Sequence, residues 1–424
     1  MHNSRSLAKK VLLLINPGFR NKEFILKRMK ELGVIVVTVH DKKLDWAQPY
    51  VDHWVIVEKQ DPEQMIMEKI DHFLKEHAEI TIDGAITFWE EEIPLLAKIC
   101  EKFGWIGNSV DAALNTRSKF GMQDVLRQHG RPAIRQHLLE SESDLKEAME
   151  HVGFPAVIKP LFGSDSHFVM YTDGAERARD AYAEAISKYD HPYALLQKYP
   201  KGLFVYQEFI DGTEFSVECF CQNGIPYVAG IHEKTGMNMP FFLETGDFCP
   251  PHISEEQKRA LTDEAKATLI ALGVRESLAH VEIKLTKRGP QVIEVASRMG
   301  GSDIFKNILQ VYDFDLIKTG CEIALGIKVT DTPLASPKAH IRSFVFIPKV
   351  SGVIATMRGF EDLTNNESVN AYYLSKKIGD TILVPPAGYE RIGWVSVRGK
   401  NAQDTEKKMQ DIQNKVHYEI IPME

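Results

Sequence analysis

The stretch His280-Val281-Glu282-Ile283-Lys284-Leu285-Thr286 is followed, after Lys287-Arg288-Gly289-Pro290, by Gln291-Val292-Ile293-Glu294-Val295-Ala296-Ser297-Arg298-Met299-Gly300-Gly301. Side chains alternate along a strand, so His280, Glu282 and Lys284 share one face while Val281, Ile283 and Leu285 share the other. Two such runs around the short turn Lys287–Pro290 predict a β-hairpin. A turn centred on Arg288 makes Glu282 and Glu294 cross-strand partners, about 4.5–5.5 Å apart at Cβ. Like charges placed opposite one another repel unless a cation lies between them. A hard divalent cation such as Mg2+ takes oxygen ligands and bridges phosphates. Arg298 follows, just before Gly300-Gly301, where the backbone can approach an anion closely. The competing reading is a pair of solvated glutamates on an exposed hairpin. The apolar residues on both sides of Glu294 weaken it.

Upstream, the pattern divides the chain. Strands are expected at Val11–Ile15, Val34–Val39, Trp54–Val57 and Asp83–Thr87, alternating with helices at Glu23–Leu32, Pro62–His77 and Ile93–Phe103. This is the signature of βαβ units and a parallel sheet. The turn Asn16-Pro17-Gly18 lacks the three glycines of a dinucleotide site. From Asn115 the texture changes. Helices are expected at Lys119–His129, Glu176–Lys188 and Glu255–Leu272, and strands at Pro155–Lys159 and Phe168–Tyr171. Phe204–Phe209 and Glu214–Phe220 are expected to form a hairpin over Asp211-Gly212. Few helices among many strands predict an antiparallel α+β region. Thr332–Lys338 reads as a linker, Ala339–Ile421 as short strands, and Ala402–Val416 as a final helix.

Two further constellations bear on chemistry. Lys159 ends the apolar run Ala156-Val157-Ile158, a poor place for an amine without a partner. Gly163-Ser164-Asp165-Ser166-His167 follows at once, and small residues let backbone N–H groups and hydroxyls wrap a phosphate. The strand end Gln207-Glu208-Phe209-Ile210, with Glu214 beyond, offers backbone groups for a base edge and a carboxylate for ribose hydroxyls.

The composition limits the partners. The 424 residues carry 51 Lys plus Arg against 59 Asp plus Glu, a net charge of -8. That balance argues against broad nucleic-acid or anionic-membrane binding, which requires a basic field. No apolar run approaches the roughly 20 residues of a membrane span. Cys100, Cys219, Cys221, Cys249 and Cys321 show no metal or CxxC spacing, which predicts reduced thiols and a cytoplasmic location.

Taken in order, Lys119, Lys159, the Gly/Ser loop, Gln207–Ile210, Glu214 and the Glu282…Glu294…Arg298-x-Gly300-Gly301 run resemble the ATP-grasp superfamily. With Glu233-Lys234, Phe242-Leu243-Glu244-Thr245-Gly246 and Pro250, the chain looks closest to the L-amino-acid ligases and the ligase region of carnosine synthase. The resemblance implies an α/β and α+β multidomain fold. A parallel βαβ domain would cover 1–114 and an ATP-grasp domain of two α+β subdomains 115–335, with a small lid at about 135–207. A β-rich C-terminal α+β domain would cover 336–424. It also implies roles. Lys119 and Lys159 would contact ATP phosphates under a loop bearing Ser164 and Ser166. Gln207, Glu208 and Ile210 would form the adenine hinge, and Glu214 would hold ribose. Glu282 and Glu294 would hold Mg2+ or Mn2+. Arg298, with Lys159, would stabilise the acyl phosphate and its adduct. Glu90, Glu244 and Gly301 would line the substrate site.

Four positions depart from that pattern: Ala296 where a third metal ligand is common, Ser166-His167-Phe168-Val169 in place of a glycine-richer loop end, Ser118 before Lys119, and Asp247 three residues past Glu244. The expected function is an ATP-dependent carboxylate–amine ligase on small substrates, working through an acyl phosphate. The resemblance allows a homodimer. The rival expectations are another ATP-grasp ligase or carboxylase, and a nucleotide-binding protein without turnover.

Overall fold

The computed structural model describes residues 7–189, 196–331, 334, 336–385 and 387–423. Part of the expected linker (residues 332, 333 and 335) and residues 190–195 of the expected lid lie outside the described residues.

The first sheet is four-stranded and parallel, in the order His53–Ile56, Ile35–His40, Val11–Ile15, Gly84–Ile86. Three of its strands, Ile35–His40, Val11–Ile15 and Gly84–Ile86, are short apolar runs buried on both faces, as a parallel sheet between helices requires, while the edge strand leaves Ile56 exposed. The helix Ile93–Phe103 stops where Gly104 turns left-handed (φ +68°).

A second sheet is antiparallel, ordered Gln136–Leu139, Phe204–Glu208, Ala156–Pro160, Met170–Thr172. The helices Asp144–Val152 and Ala175–Lys188 share its apolar core.

The third sheet organises the molecule. Its eight strands run Gly289–Ala296, Ser277–Thr286, Thr213–Gln222, Ile225–Lys234, Asp247–Cys249, His340–Phe346, Gly393–Gly399, Val369–Leu374. Alternation sorts its faces. Phe215, Val217, Cys219, Ala279, Val281 and Ile283 pack against the helix Glu255–Ala271, whose start is a capping box of Ser254 and Gln257. The opposite face carries Glu214, Ser216, Glu218, His280, Glu282 and Lys284. The sheet passes without a break from strands before residue 335 to strands after it. A three-stranded sheet of Thr381–Ile382, Gly352–Arg358 and His417–Pro422 completes the C-terminal region, packed with the helix Ala402–Lys415.

The hairpin expected over Asp211-Gly212 is not formed. Phe204–Glu208 belongs to the second sheet and Thr213–Gln222 to the third. Asp211-Gly212 is therefore a crossing between sheets. A Cβ on Gly212 would lie 2.5 Å from the Leu285 carbonyl oxygen, so the glycine serves close approach to the next strand. The hairpin partner of Thr213–Gln222 is Ile225–Lys234, joined by Asn223-Gly224 with both residues left-handed (φ +54° and +74°). This is the Asn-Gly signal of a two-residue hairpin turn.

Candidate active site

The expected ribbon forms, and Glu282 is paired with Glu294. The route to that pairing differs from the expected one. Near the turn the register is Thr286 with Gly289 and Lys284 with Gln291, which centres the turn between Lys287 and Arg288. Continued unchanged, it would set Glu282 against Ile293. A bulge between Glu282 and Ile283 brings Glu294 opposite instead. Bulges commonly re-aim a side chain in this way.

Register then lays out the polar face in rows. Glu294, Glu282, Ser216 and His232 form one row, and Ala296, His280, Glu218 and Gly230 the next. Lys284 pairs with Glu214, and Lys234 with Asp247. Above this face lies a cavity of about 600 Å3. All the residues expected to bind or react line it: Lys119, Lys159, Ser164, Ser166, Gln207, Glu208, Ile210, Glu214, Glu282, Glu294, Glu90, Glu244, Arg298 and Gly301.

Their partners give each a local environment. Lys119 opens the helix Lys119–Gln128, which Ser118 caps by accepting from the Gly121 N–H. Ser118 thus does the capping work that an Asp would do. The Lys119 Nζ donates to the Gly163 carbonyl at 2.6 Å and meets Glu294 at 3.0 Å. Lys159 is only 5% exposed, and its side-chain amine makes no hydrogen bond or ion pair among the described residues. Burial first, then repulsion from Lys119, lowers its pKa to about 8. Ser164 donates to Glu91 at 2.7 Å, which ties the loop to the first domain. Glu208 is held by Arg135 and Arg288.

Lys234 is buried among three carboxylates: Glu214 at 2.5 Å, Glu244 at 2.6 Å and Glu282 at 2.7 Å. The sequence marked Lys234 only as part of the resemblance; its central place follows from the Asn223-Gly224 hairpin, which was not read. Glu218, fully buried, accepts from His280 Nδ1 and, at 2.8 Å, from the Gly300 N–H. Burial opposes a charge on His280, but Glu218 and Glu282 outweigh it and raise the pKa to about 10.

Glu90 is buried with one oxygen on Arg117 and the other on Arg298. Burial alone would raise its pKa; Arg298 and Arg117 overcome that and hold it at about 2. Arg117 carried no sequence signal, because a fully buried arginine shows itself only through its partners.

The donor set fits a hard cation. Glu282 and Glu294 offer oxygen ligands from adjacent strands with about a fifth of each side chain exposed toward the cavity (20% and 21%). No cluster of three or more His, Cys, Asp or Glu able to hold a metal occurs among the described residues. Such a cation would complete its shell with phosphate oxygens and water, which suits Mg2+.

The comparisons with known proteins agree with this geometry: residues 152–306 match the ATP-grasp domain family, and residues 344–420 match the L-amino acid ligase C-terminal domain 2. Within that class the similarity is to amino-acid ligases. Alanine–anticapsin ligase of Bacillus subtilis is 28% identical over 305 residues, 68% of this chain and 63% of that protein. Human carnosine synthase 1 is 25% identical over 334 residues, 75% of this chain and 40% of that protein. The chain therefore spans less than two thirds of the length of these relatives. The crystal structure of L-amino acid ligase from Bacillus licheniformis superposes with a TM-score of 0.84 at 23% identity, covering 98% of this chain and 99% of that one. Phosphoribosylglycinamide synthetase from Anaerococcus prevotii superposes at 0.68 and 19% identity. No described helix is long and apolar enough to cross a membrane.

Proposed function

We propose that the protein is an ATP-dependent carboxylate–amine ligase that joins two amino acids, or an amino acid and another small amine or carboxylate. The observation that carries this reading is convergence. Two buried lysines, a cross-strand carboxylate pair and a glutamate-anchored arginine face one cavity. Phosphoryl transfer asks a protein for positioning and electrostatics more than for a nucleophile, and this set supplies them.

In the proposed sequence a substrate carboxylate oxygen attacks the γ-phosphorus of ATP, and ADP leaves. The resulting acyl phosphate is attacked at carbon by an amine; the C–N bond forms and inorganic phosphate departs with the electron pair. Lys119 and Lys159 hold phosphate oxygens. Gln207, Glu208 and Ile210 hold the adenine, and Glu214 the ribose. Arg298 offsets oxyanion charge, and Glu90 orients it. Magnesium held by Glu282 and Glu294 would neutralise charge on the transferring phosphoryl group. Both Glu90 oxygens are occupied by arginines, so the contact to a substrate ammonium falls to Glu244, whose side chain is 43% exposed. Gly301 lines the same cavity. The five cysteines are unpaired and buried, which supports a reducing, cytoplasmic setting.

A phosphate-release screen over pairs of common amino acids, with mass spectrometry of the products, tests the reading. The expected result is phosphate and amide in equal amounts for at least one pair. Bicarbonate-dependent release without amide would turn the reading to a carboxylase. Tight ATP binding with no release under any pair would turn it to a non-catalytic nucleotide binder.

A further inference from the structure

The loop that follows Lys159 is gripped from two sides. On one side Ser164 is bonded to Glu91 of the first domain. On the other, the C-terminal region reaches over it. Arg391 Nη2 donates to Asp165 Oδ1 at 2.9 Å. The Tyr389 ring lies 4.6 Å from the His167 ring and 5.5 Å from that of Phe168. Tyr389 is only 8% exposed and belongs to the apolar core of the second sheet, alongside Ile158, Phe168 and Phe204, although its own segment comes nearly two hundred residues later. The gripped loop is also unusual in backbone. Asp165, Ser166 and Phe168 are all left-handed, with φ of +53°, +56° and +55°. Non-glycine residues are uncommon in that conformation, a phenylalanine especially, and three within four positions point to restraint by the surroundings.

We infer that Tyr389 and Arg391 are positioning residues that hold the loop Gly163–Phe168 shut across the cavity, so that the C-terminal region keeps water from the acyl phosphate. The inference rests on the ligase reading. Its chemistry is a competition at one carbon. If the amine attacks, amide and phosphate form together. If water attacks, the same C–O bond breaks, and the free carboxylate is regenerated with phosphate and no amide. Excluding water is what loop closure contributes to such reactions. Neither residue needs to touch the substrate. Arg391 fixes the loop's acidic tip, and Tyr389 fills the space behind His167 and Phe168.

The test is the ratio of phosphate released to amide formed, together with the release rate of a fluorescent ADP analogue with Mg2+. Wild type should give a ratio near one. Arg391→Ala and Tyr389→Ala should each raise it by about threefold or more and speed analogue release by a similar factor. Asp165→Asn, which tolerates a left-handed backbone, should copy Arg391→Ala, and the double variant should be no worse than either single one. Arg391→Lys should keep the ratio near one. A ratio of one with unchanged analogue release in both alanine variants would overturn the inference. So would an equal loss of amide and phosphate that Arg391→Lys does not rescue. If no amino-acid pair gives product with wild type, the ligase reading falls. Analogue release, which needs only nucleotide binding, then decides the clamp by itself.

Discussion

Lys159 carries the clearest prediction at the level of single residues. Its amine is buried, lacks a protein partner among the described residues and titrates near 8. A phosphate favours the charged form, so nucleotide affinity should be full below pH 8 and fall as the pH rises through and beyond that value. Calorimetry with ATP at pH 7 and pH 9.5 checks this. Lys159→Arg, charged at both pH values, should flatten the dependence, and Lys159→Ala should weaken binding about tenfold or more at pH 7. Affinity that ignores both pH and substitution would remove the phosphate contact. Glu294 is the second probe. Glu294→Ala should lower ligation by about a hundredfold or more while ADP without metal binds within about threefold of wild type. Normal turnover in that variant would take the metal role away from the ribbon. Lys159 and Glu294 could be picked out because each sits awkwardly in its local sequence. Lys234, Glu218 and Arg117 could not, because each matters only through partners brought from distant strands.

Among the elements, the ribbon and its exit turn decide the geometry. A Cβ on Gly300 would meet Ile304 Cδ1 at 2.5 Å, Glu218 Oε1 at 2.7 Å and His280 Nδ1 at 2.9 Å, whereas one on Gly301 would meet nothing within 4 Å. The two glycines should therefore fail differently. Gly300→Ala should displace the turn, lowering both thermal stability and turnover, by about 1–3 kcal/mol in the first case. Gly301→Ala should leave the melting temperature unchanged and raise KM for an amino-acid substrate. Paired melting curves and steady-state kinetics separate the two. A shared loss of stability would mean the turn is packed more tightly at Gly301 than its open surroundings indicate. The ribbon was legible because alternation and a short turn fix register locally. The bulge that completes the pairing was not, since an extra residue in a strand leaves no mark in the pattern. The Asp211-Gly212 crossing was misread for a related reason: a short turn looks the same whether its strands pair or part. Asn223-Gly224 was the stronger hairpin signal and was passed over. The helices Ile304–Tyr312 and Leu316–Ala324 also went unread. Ile304–Tyr312 buries Ile304, Phe305, Ile308, Val311 and Tyr312 along one face, so its helical spacing was legible and was passed over, whereas Leu316–Ala324 is buried on every side.

At the level of the molecule, three regions meet over one sheet face. The parallel domain brings Glu90 and Glu91, the second sheet brings Lys159 and the loop, and the continuous eight-stranded sheet brings the carboxylate ribbon, with the strands after residue 340 extending it. The order of motifs along the chain anticipated this gathering, while the grip of Tyr389 and Arg391 on the loop was invisible until the chain was folded. The proposed reaction begins with attack of a carboxylate oxygen on ATP within this cavity, and isotope transfer reports on that step. The protein is incubated with ATP, Mg2+ and a productive amino-acid pair whose carboxylate donor carries 18O in both oxygens, and the phosphate is analysed by mass spectrometry. One 18O should appear in each phosphate released, and each amide should keep the other. Amide formed with unlabelled phosphate would contradict that attack.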